Sequence, residues 1–341
     1  ETSSVLIRQH ALEHVRQHPQ WRANIITGIA PDNHLLEVPD GKVLLQKDFN
    51  HPFYGWDNEY GLHEAEVAAF AASKYLVSNQ EFLAFVEADG YQTEHYWSEE
   101  GLGWLQFSQA AHPCFWRKTE LGWSLRLMLE EVPMPWDWPV EVNYHEAKAF
   151  CQWKSQQLGK TIRLPTEDEW YRLYAVSDLD PDLQSPEQAN IELKYGTSSC
   201  PVDHFKQGDF YDIQGNVWQW TETPIYPFQG FQVHPLYDDF STPTFDGRHN
   251  LMKGGSWISA GNEALYSSRY AFRRHFFQHA GFRYVASDQA LQHFPSNYES
   301  DQLVSQYLEF QYGPEYFGVA NFAKTLVDLA QPYFQQTPCH R

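Results

Sequence analysis

Apolar positions recur at helical spacing in only a few stretches of this chain. Val5, Leu6, Leu12 and Val15 stand among Arg and His with no proline or glycine before Pro19, which predicts a helix and its exit over residues 5–26. Residues 78–88 (SNQEFLAFVEA) predict a short helix, with Ser78 as N-cap, Glu81 completing a capping box, and Phe82, Phe85 and Val86 as the inward stripe. Tyr144 to Leu158 predicts a longer amphipathic helix closed by Gly159, and Thr166 opens a short one through Trp170 with acids in its first turn. Between Lys47 and Trp56 lies a loop rich in Pro, Gly and rings. Beyond Gly208 the period shortens: YDIQGNVWQW, LMKGGSWIS and AGFRYVAS alternate rings with Gly and polar residues, as short strands and turns do. A Pro- and Asp-rich loop, residues 224–249, separates the first two, and residues 298–331 turn helical again.

Composition narrows the picture. The 341 residues carry 44 Asp and Glu against 24 Lys and Arg, a formal charge of −20. A field of that sign repels phosphate backbones and anionic lipid, so neither nucleic acid nor a membrane surface is an expected partner; small zwitterions or cations are. No apolar run approaches the roughly 18 residues that span a bilayer, and Glu1-Thr2-Ser3-Ser4 is no signal-peptide start. Four cysteines without a CxxC pair give neither a disulfide framework nor a zinc knuckle, which suits a reducing cytoplasm. Aromatic residues make up 16% of the chain although mean hydropathy is −0.57. Rings with polar tips can pack and hydrogen-bond loop backbone, so a loop-rich fold is expected.

Four segments follow in fixed order: RLPTEDEW (163–170), GNVWQW (215–220), GGSW (254–257) and GFR (281–283). Together they resemble the fold shared by formylglycine-generating enzymes and the iron-dependent sulfoxide synthases of thiol-histidine biosynthesis, from roughly Tyr75 to Ser287. The resemblance implies an α+β, loop-rich, C-type-lectin-like fold of short helices and strands flanked by helical segments. Formylglycine-generating enzymes hold copper on paired thiolates, soft ligands that select Cu(I). Here Ser267 and about Asn262 stand where those cysteines belong, which disfavours that oxidase chemistry.

Within the superfamily, SRYAFRRHFFQHAGFR (268–283), IRLPTEDEWYRL, YPFQGF and EVNYHEAKAFCQWK resemble the 5-histidylcysteine sulfoxide synthases of ovothiol biosynthesis (OvoA) more than their ergothioneine counterparts (EgtB). The resemblance implies non-haem Fe(II) on three histidines, O2 as co-substrate, and L-cysteine and L-histidine as substrates. Two of the ligands belong to a His-x3-His-x-Glu motif whose glutamate corresponds to Glu1, so no metal ligand is expected within the chain and the histidines are expected just upstream of it. Three regions follow from the same comparison. Residues 1–46 would end a DinB-like helical iron-binding domain and its linker. Residues 47–290 would form the formylglycine-generating-enzyme-like, or sulfatase-modifying-factor, domain. Residues 291–341, with LEFQYGPEYFGVANFAKTLVDLAQPYF, would lead into a methyltransferase domain, the only part to use S-adenosylmethionine; no GxGxxG-like loop occurs in the chain.

The resemblance also implies an active-site tyrosine in the YPFQGF segment, Tyr226, whose phenol could deliver a proton, with Tyr237 as rival. Either could instead simply pack a loop. Arg269, Arg273 and Arg274 are candidates to grip substrate carboxylates, because a guanidinium fork offers two parallel hydrogen bonds. EgtB-type enzymes hold γ-glutamylcysteine with an acid four residues before an arginine. Arg269 at the acidic position, with Arg273 kept, suits the smaller free cysteine. An arginine cluster in so acidic a chain can equally be an ion-pair hub. The H-x3-H pair His10 and His14 has metal-binding spacing on the first predicted helix, yet a solvated face is the simpler expectation, and His275 and His279 are read as loop residues. GNVWQW and RLPTEDEW are read as architecture, with Arg163 pairing with its acids. Gln219 stands where some related domains place an acid near a structural calcium. The alternatives are a non-catalytic binding module of the same fold and a formylglycine-generating oxidase.

Overall fold

Four helices begin where a side chain can take a free backbone N–H, and at α3 (Glu99–Ser108) it is Ser98 that accepts from Gly101 at 3.1 Å. Ser78 accepts from Glu81 at 3.1 Å and starts α2 (Asn79–Glu87), Asn143 accepts from Glu146 at 3.0 Å and starts α4 (Tyr144–Leu158), and Thr166 accepts from Glu169 at 3.1 Å and starts α5 (Glu167–Ala175). In this computed structural model, which describes residues 1–16, 18–24, 27–179, 187–287 and 291, a further helix is α1 (Thr2–Gln9). The chain falls into two compact units, Glu1–Ala290 and Leu291–Arg341. Apart from Leu291 the second unit lies outside the described residues, and with it the predicted helical stretch 298–331.

Sequence and structure differ at instructive places. The capping boxes close at Glu146 and Glu169, but the Glu81 carboxylate receives Asn33 at 2.9 Å, Lys154 at 2.8 Å and Tyr284 at 3.1 Å, donors that outcompete its own helix terminus. Phe82 and Phe85 are buried as expected, while Val86 is only half-buried. The α4 helix ends at Gly159, left-handed at φ 60°, and α5 runs well past Trp170. The first helix stops at Gln9 because the His10 carbonyl accepts from Arg126 at 3.1 Å and the chain turns extended there. Residues 12–14 then form a single 3₁₀ turn, so His10 and His14 do not share a helix face.

One four-stranded sheet orders Leu35–Val38, Phe70–Ser73, Val285–Ala286 and Ile162–Arg163, all antiparallel. A second orders Tyr270–Arg273, His249–Lys253, Trp218–Pro224 and Ala280–Gly281, the last pair parallel. A hairpin joins Gly41–Lys47 to Gly61–Val67, and three strands between Trp116 and Pro133 make a meander. Gly281 is required at its position, since a Cβ there would collide with the Val140 carbonyl. Rings fill the space between these short elements: Phe82 stacks on Phe150 at 5.4 Å, and Trp116, Trp218 and Trp220 are fully buried in the same core. A second core gathers Phe70, Trp170 and Leu173 beneath the hairpin and α5. The loop-rich α+β architecture read from the sequence holds. No helix among the described residues is long and apolar enough to cross a membrane.

Candidate functional site

The strand Tyr270–Arg273 is the edge of the second sheet, paired on one side only with His249–Lys253. Residues of this strand and of its paired neighbour border a cavity of about 320 Å³, whose walls include Asn58, Ile225, Phe240, His249, Tyr270, Phe272 and Arg273. Side chains alternate along a strand, so Arg269, Ala271 and Arg273 share one face and Tyr270 and Phe272 the other.

The three candidate arginines have different fates. Arg269 is buried and its fork is spent: it donates to both Glu167 carboxylate oxygens, at 2.9 and 3.0 Å, and to the carbonyls of Asn58 and Tyr226, at 2.7 and 3.0 Å. Arg269 is therefore a hub within the wall rather than a free carboxylate clamp. Arg274 donates to Asn250 at 2.8 Å, Glu100 at 2.6 Å and the Gly247 carbonyl at 2.8 Å, tying α3 to the sheet. Arg273 is exposed at the cavity mouth, and among the described residues its side chain has no hydrogen bond or ion pair, although its charge helps to lower the Asp246 carboxyl.

Tyr226 does not join them. Its ring packs against His63 and Phe228, at 5.6 and 5.7 Å between centroids, below the Arg269 guanidinium and away from the lining of the cavity. The reason is local: once the sheet strand ends at Pro224, Ile225 still points at the cavity, and Tyr226 is directed toward the second core. Tyr237 is half exposed and touches Phe240 of the cavity wall at 5.4 Å.

Glu1 sits against the same sheet. Its carboxylate accepts from Trp218 Nε1 at 2.6 Å and from Ser259 Oγ. Trp218 stacks on Tyr270 at 5.1 Å, and Tyr270 hydrogen-bonds Thr2. Burial, and then the Glu1 charge, push the Tyr270 phenol well above its ordinary range, so it stays protonated at neutral pH. Burial and Glu1 likewise push Glu263 up to about 7, with Trp56 as its hydrogen-bond partner. The α1 helix is held down by a buried chain: Arg8 pairs with Glu141, Glu141 meets His279 at 3.4 Å, and His279 Nε2 lies 2.7 Å from Ser4 Oγ. His279 is thus structural, whereas His275 is exposed.

The residues at the supposed copper position are hydrogen-bonded oxygens and nitrogens. Ser267 lies between Lys47, at 3.3 Å, and Glu59, at 3.1 Å. Arg163 pairs with Glu169, as its motif suggested. Gln219 accepts from Arg283 at 2.8 Å and donates to the carbonyls of Asp212 and Ile213, at 3.0 and 2.9 Å. No group of three or more His, Cys, Asp or Glu among the described residues is arranged to hold a metal ion. Sequence reasoning passed over Tyr270 and Asn58. Tyr270 lay inside the arginine segment, where a strand's alternation was the available signal; Asn58 had no signal, because only folding brings its loop to the sheet edge.

The sulfatase-modifying factor enzyme 1-like domain matches residues 29–288. The chain belongs to that family. Within it, the chain is similar to the hercynine oxygenase of Mycobacterium tuberculosis, 32% identical over 222 residues, which cover 59% of this chain and 48% of that protein. It is also similar to ergothioneine biosynthesis protein 1 of Schizosaccharomyces pombe, 25% identical, covering 68% of this chain and 27% of that one. A third relative is the inactive C-alpha-formylglycine-generating enzyme 2 of mouse, 27% identical, covering 65% and 79%. The chain spans about half the length of the mycobacterial relatives it matches. Among solved structures, PvdO from Pseudomonas aeruginosa (TM-score 0.52, 16% identical, covering 80% of this chain and 100% of that one) and Treponema denticola variable protein 1 (0.51, 16%, covering 75% and 99%) share the sulfatase-modifying-factor fold.

Proposed function

We propose that this chain is the substrate-gripping part of a non-haem iron(II)- and O2-dependent sulfoxide synthase that joins L-cysteine to L-histidine in the cytoplasm. The observation that carries the reading is an uncommitted guanidinium, Arg273, at a cavity whose wall residue Tyr270 hydrogen-bonds the first turn of α1. The relatives named hercynine oxygenase support oxygen-dependent chemistry on a histidine derivative. The smaller thiol is favoured by Arg269, which fills with a wall-bound cation the place of an acid that would grip a γ-glutamyl ammonium.

The described residues do not themselves fit a three-ligand metal site, so no step is derived through iron. In balance, a cysteine S–H and an imidazole C–H are lost, a C–S bond and an S=O bond form, and O2 supplies the sulfoxide oxygen and one water. The chain's own residues bind and orient. Arg273 would receive a substrate carboxylate with two parallel hydrogen bonds, Arg269 fixes the wall behind it, and Phe240 and Phe272 keep water from the bound groups. Tyr270, rather than Tyr226, is a lining residue of the cavity; its phenol stays protonated on the strand face opposite Arg273, where it ties the wall to α1. The domain reading of residues 1–46 and 291–341 belongs to the same proposal, with S-adenosylmethionine used only beyond this chain.

The test supplies the intact protein with Fe(II), O2, cysteine and histidine and seeks the histidylcysteine sulfoxide by mass spectrometry. Product only from γ-glutamylcysteine and trimethylated histidine would correct the substrates, and no product with metal fully loaded would remove the reading. Likeness to an inactive formylglycine-generating relative favours one alternative, a non-catalytic binding module. About one iron per intact protein speaks for the enzyme, and none for the module.

A further inference from the structure

A second titratable side chain lines the cavity directly across from Arg273. His249 and Arg273 are register partners in an antiparallel strand pair, so both side chains leave the same face of the sheet, with their Cβ atoms about 5 Å apart. Ala271 stands on that face two residues before Arg273, and its single methyl group leaves open the space a larger side chain would fill. The other imidazole next to Arg273, His275, is exposed and does not line the cavity.

One carboxylate oxygen orients the His249 ring. Asp246 Oδ1 accepts from the backbone N–H groups of Arg248, at 2.8 Å, and His249, at 3.2 Å, and lies 2.8 Å from His249 Nδ1. Burial raises the Asp246 carboxyl, but His249, the Arg248 amide and the Arg273 charge bring it below its ordinary value, so at neutral pH it is ionised and can only accept. Nδ1 therefore carries the proton of the neutral ring, and Nε2 is left as an acceptor. Arg274 donates to the Gly247 carbonyl at 2.8 Å, which fastens this turn to the strand that carries Arg273. The His249 side chain is 14% exposed, and its Nε2 has no partner among the described residues and is not sealed from solvent. Water can satisfy that nitrogen in the free protein; its place beside Arg273 is what gives it a use.

A guanidinium only donates, and this nitrogen only accepts. An α-amino acid is the complement of the two: its carboxylate only accepts, its ammonium only donates, and both sit on one carbon. Side chains that face each other across a strand pair suit so close a spacing. Resting on the function proposed above, we infer that His249 is a specificity-determining residue whose Nε2 accepts from the α-ammonium of the thiol substrate while Arg273 holds the α-carboxylate. The pair thus reads a free α-amino acid and turns away thiols that carry only one of the two groups.

The test is titration calorimetry of the full chain at about pH 7.5, above the ordinary imidazole pKa, with three probes. L-cysteine carries both groups, 3-mercaptopropionate lacks the amine, and cysteamine lacks the carboxylate. L-cysteine is expected to bind at least tenfold tighter than either. His249→Leu should bring L-cysteine down to the level of 3-mercaptopropionate, and Arg273→Gln should bring it down to the level of cysteamine. Equal binding of the three probes, no binding of L-cysteine, or an advantage over 3-mercaptopropionate that survives in His249→Leu would overturn the assignment. If His249→Leu melts early, the ¹⁵N shift of His249 Nε2 in the unaltered chain decides: it should move on addition of L-cysteine and not of 3-mercaptopropionate, and the same response to both would overturn the assignment. Preference for the α-amino acid without sulfoxide formation in the intact protein would sink the proposed reaction and leave the site standing; sulfoxide formation without the preference would do the reverse.

Discussion

Arg269 and Glu167 meet through two parallel hydrogen bonds, Nε to Oε1 at 2.9 Å and Nη2 to Oε2 at 3.0 Å, with both side chains out of water. Lys253 Nζ lies 3.8 Å from the same carboxylate and is itself fully buried. Burial drives the Glu167 carboxyl up, but Arg269 and then Lys253 reverse this and hold it below the usual range. Removing the carboxylate would leave the buried Arg269 guanidinium without its counterion, beside a Lys253 that burial already brings down to about 7 and that would then shed its proton. Glu167→Gln is therefore expected to cost about 3–5 kcal/mol, read by urea unfolding. Arg269→Lys should not be tolerated much better, since an ammonium cannot reproduce the fork.

Arg273 should behave in the opposite way. Because it is exposed and without an ion pair, Arg273→Gln is expected to change stability by no more than about 0.5 kcal/mol. Binding of a carboxylate ligand should fall about tenfold or more through the lost bidentate contact. A stability loss comparable to that at Glu167 would show that Arg273 is structural.

Glu146 gives a pH signature. It is buried in the α4 capping box, where Tyr91 donates to it at 2.6 Å, yet burial outweighs its hydrogen bonds and its pKa is pushed up to about 7. Between about 4.5 and 7 the folded chain keeps a proton that the unfolded chain has lost, so this group's contribution to stability declines as pH rises through that window. Glu146→Gln should flatten the decline, as followed by melting temperature from pH 5 to 8. An unchanged slope would assign the effect elsewhere.

The docking of α1 depends on Glu141, whose carboxyl burial raises but Arg8 and His279 bring down to about 2. Its stabilising contribution is present above about 4.5 and is lost as pH falls toward 2. Glu141→Gln should release α1, and amide hydrogens of Val5 to Gln9 should exchange faster at neutral pH. Unchanged protection there would mean that the helix is held by other contacts.

The helices with a capping side chain and an apolar stripe were legible in the sequence, as were the ring-filled core and the family motifs. The first-half strands were not. Gly41–Lys47 and Gly61–Val67 alternate in burial, but an exposed Leu44 and a buried Lys47 break the matching alternation of residue types. The α3 helix escaped notice because Gly101 and Gly103 weaken its pattern while Ser98 caps it. In the arginine segment, sequence could name three side chains of one chemistry but not say which were already bound. That depended on Glu167 and Glu100, residues 102 and 174 positions away.

Gln219 shows how narrow some of these solutions are. Its oxygen meets Arg283 and its nitrogen meets two main-chain carbonyls, so one amide stitches three stretches of the polypeptide. Replacing that nitrogen by oxygen, as Gln219→Glu would, turns two attractions into two lone-pair repulsions unless the new carboxyl keeps a proton. An isosteric exchange at this one atom would thus make the loop's shape answer to acidity, although Arg283 stands ready to pair with the added charge.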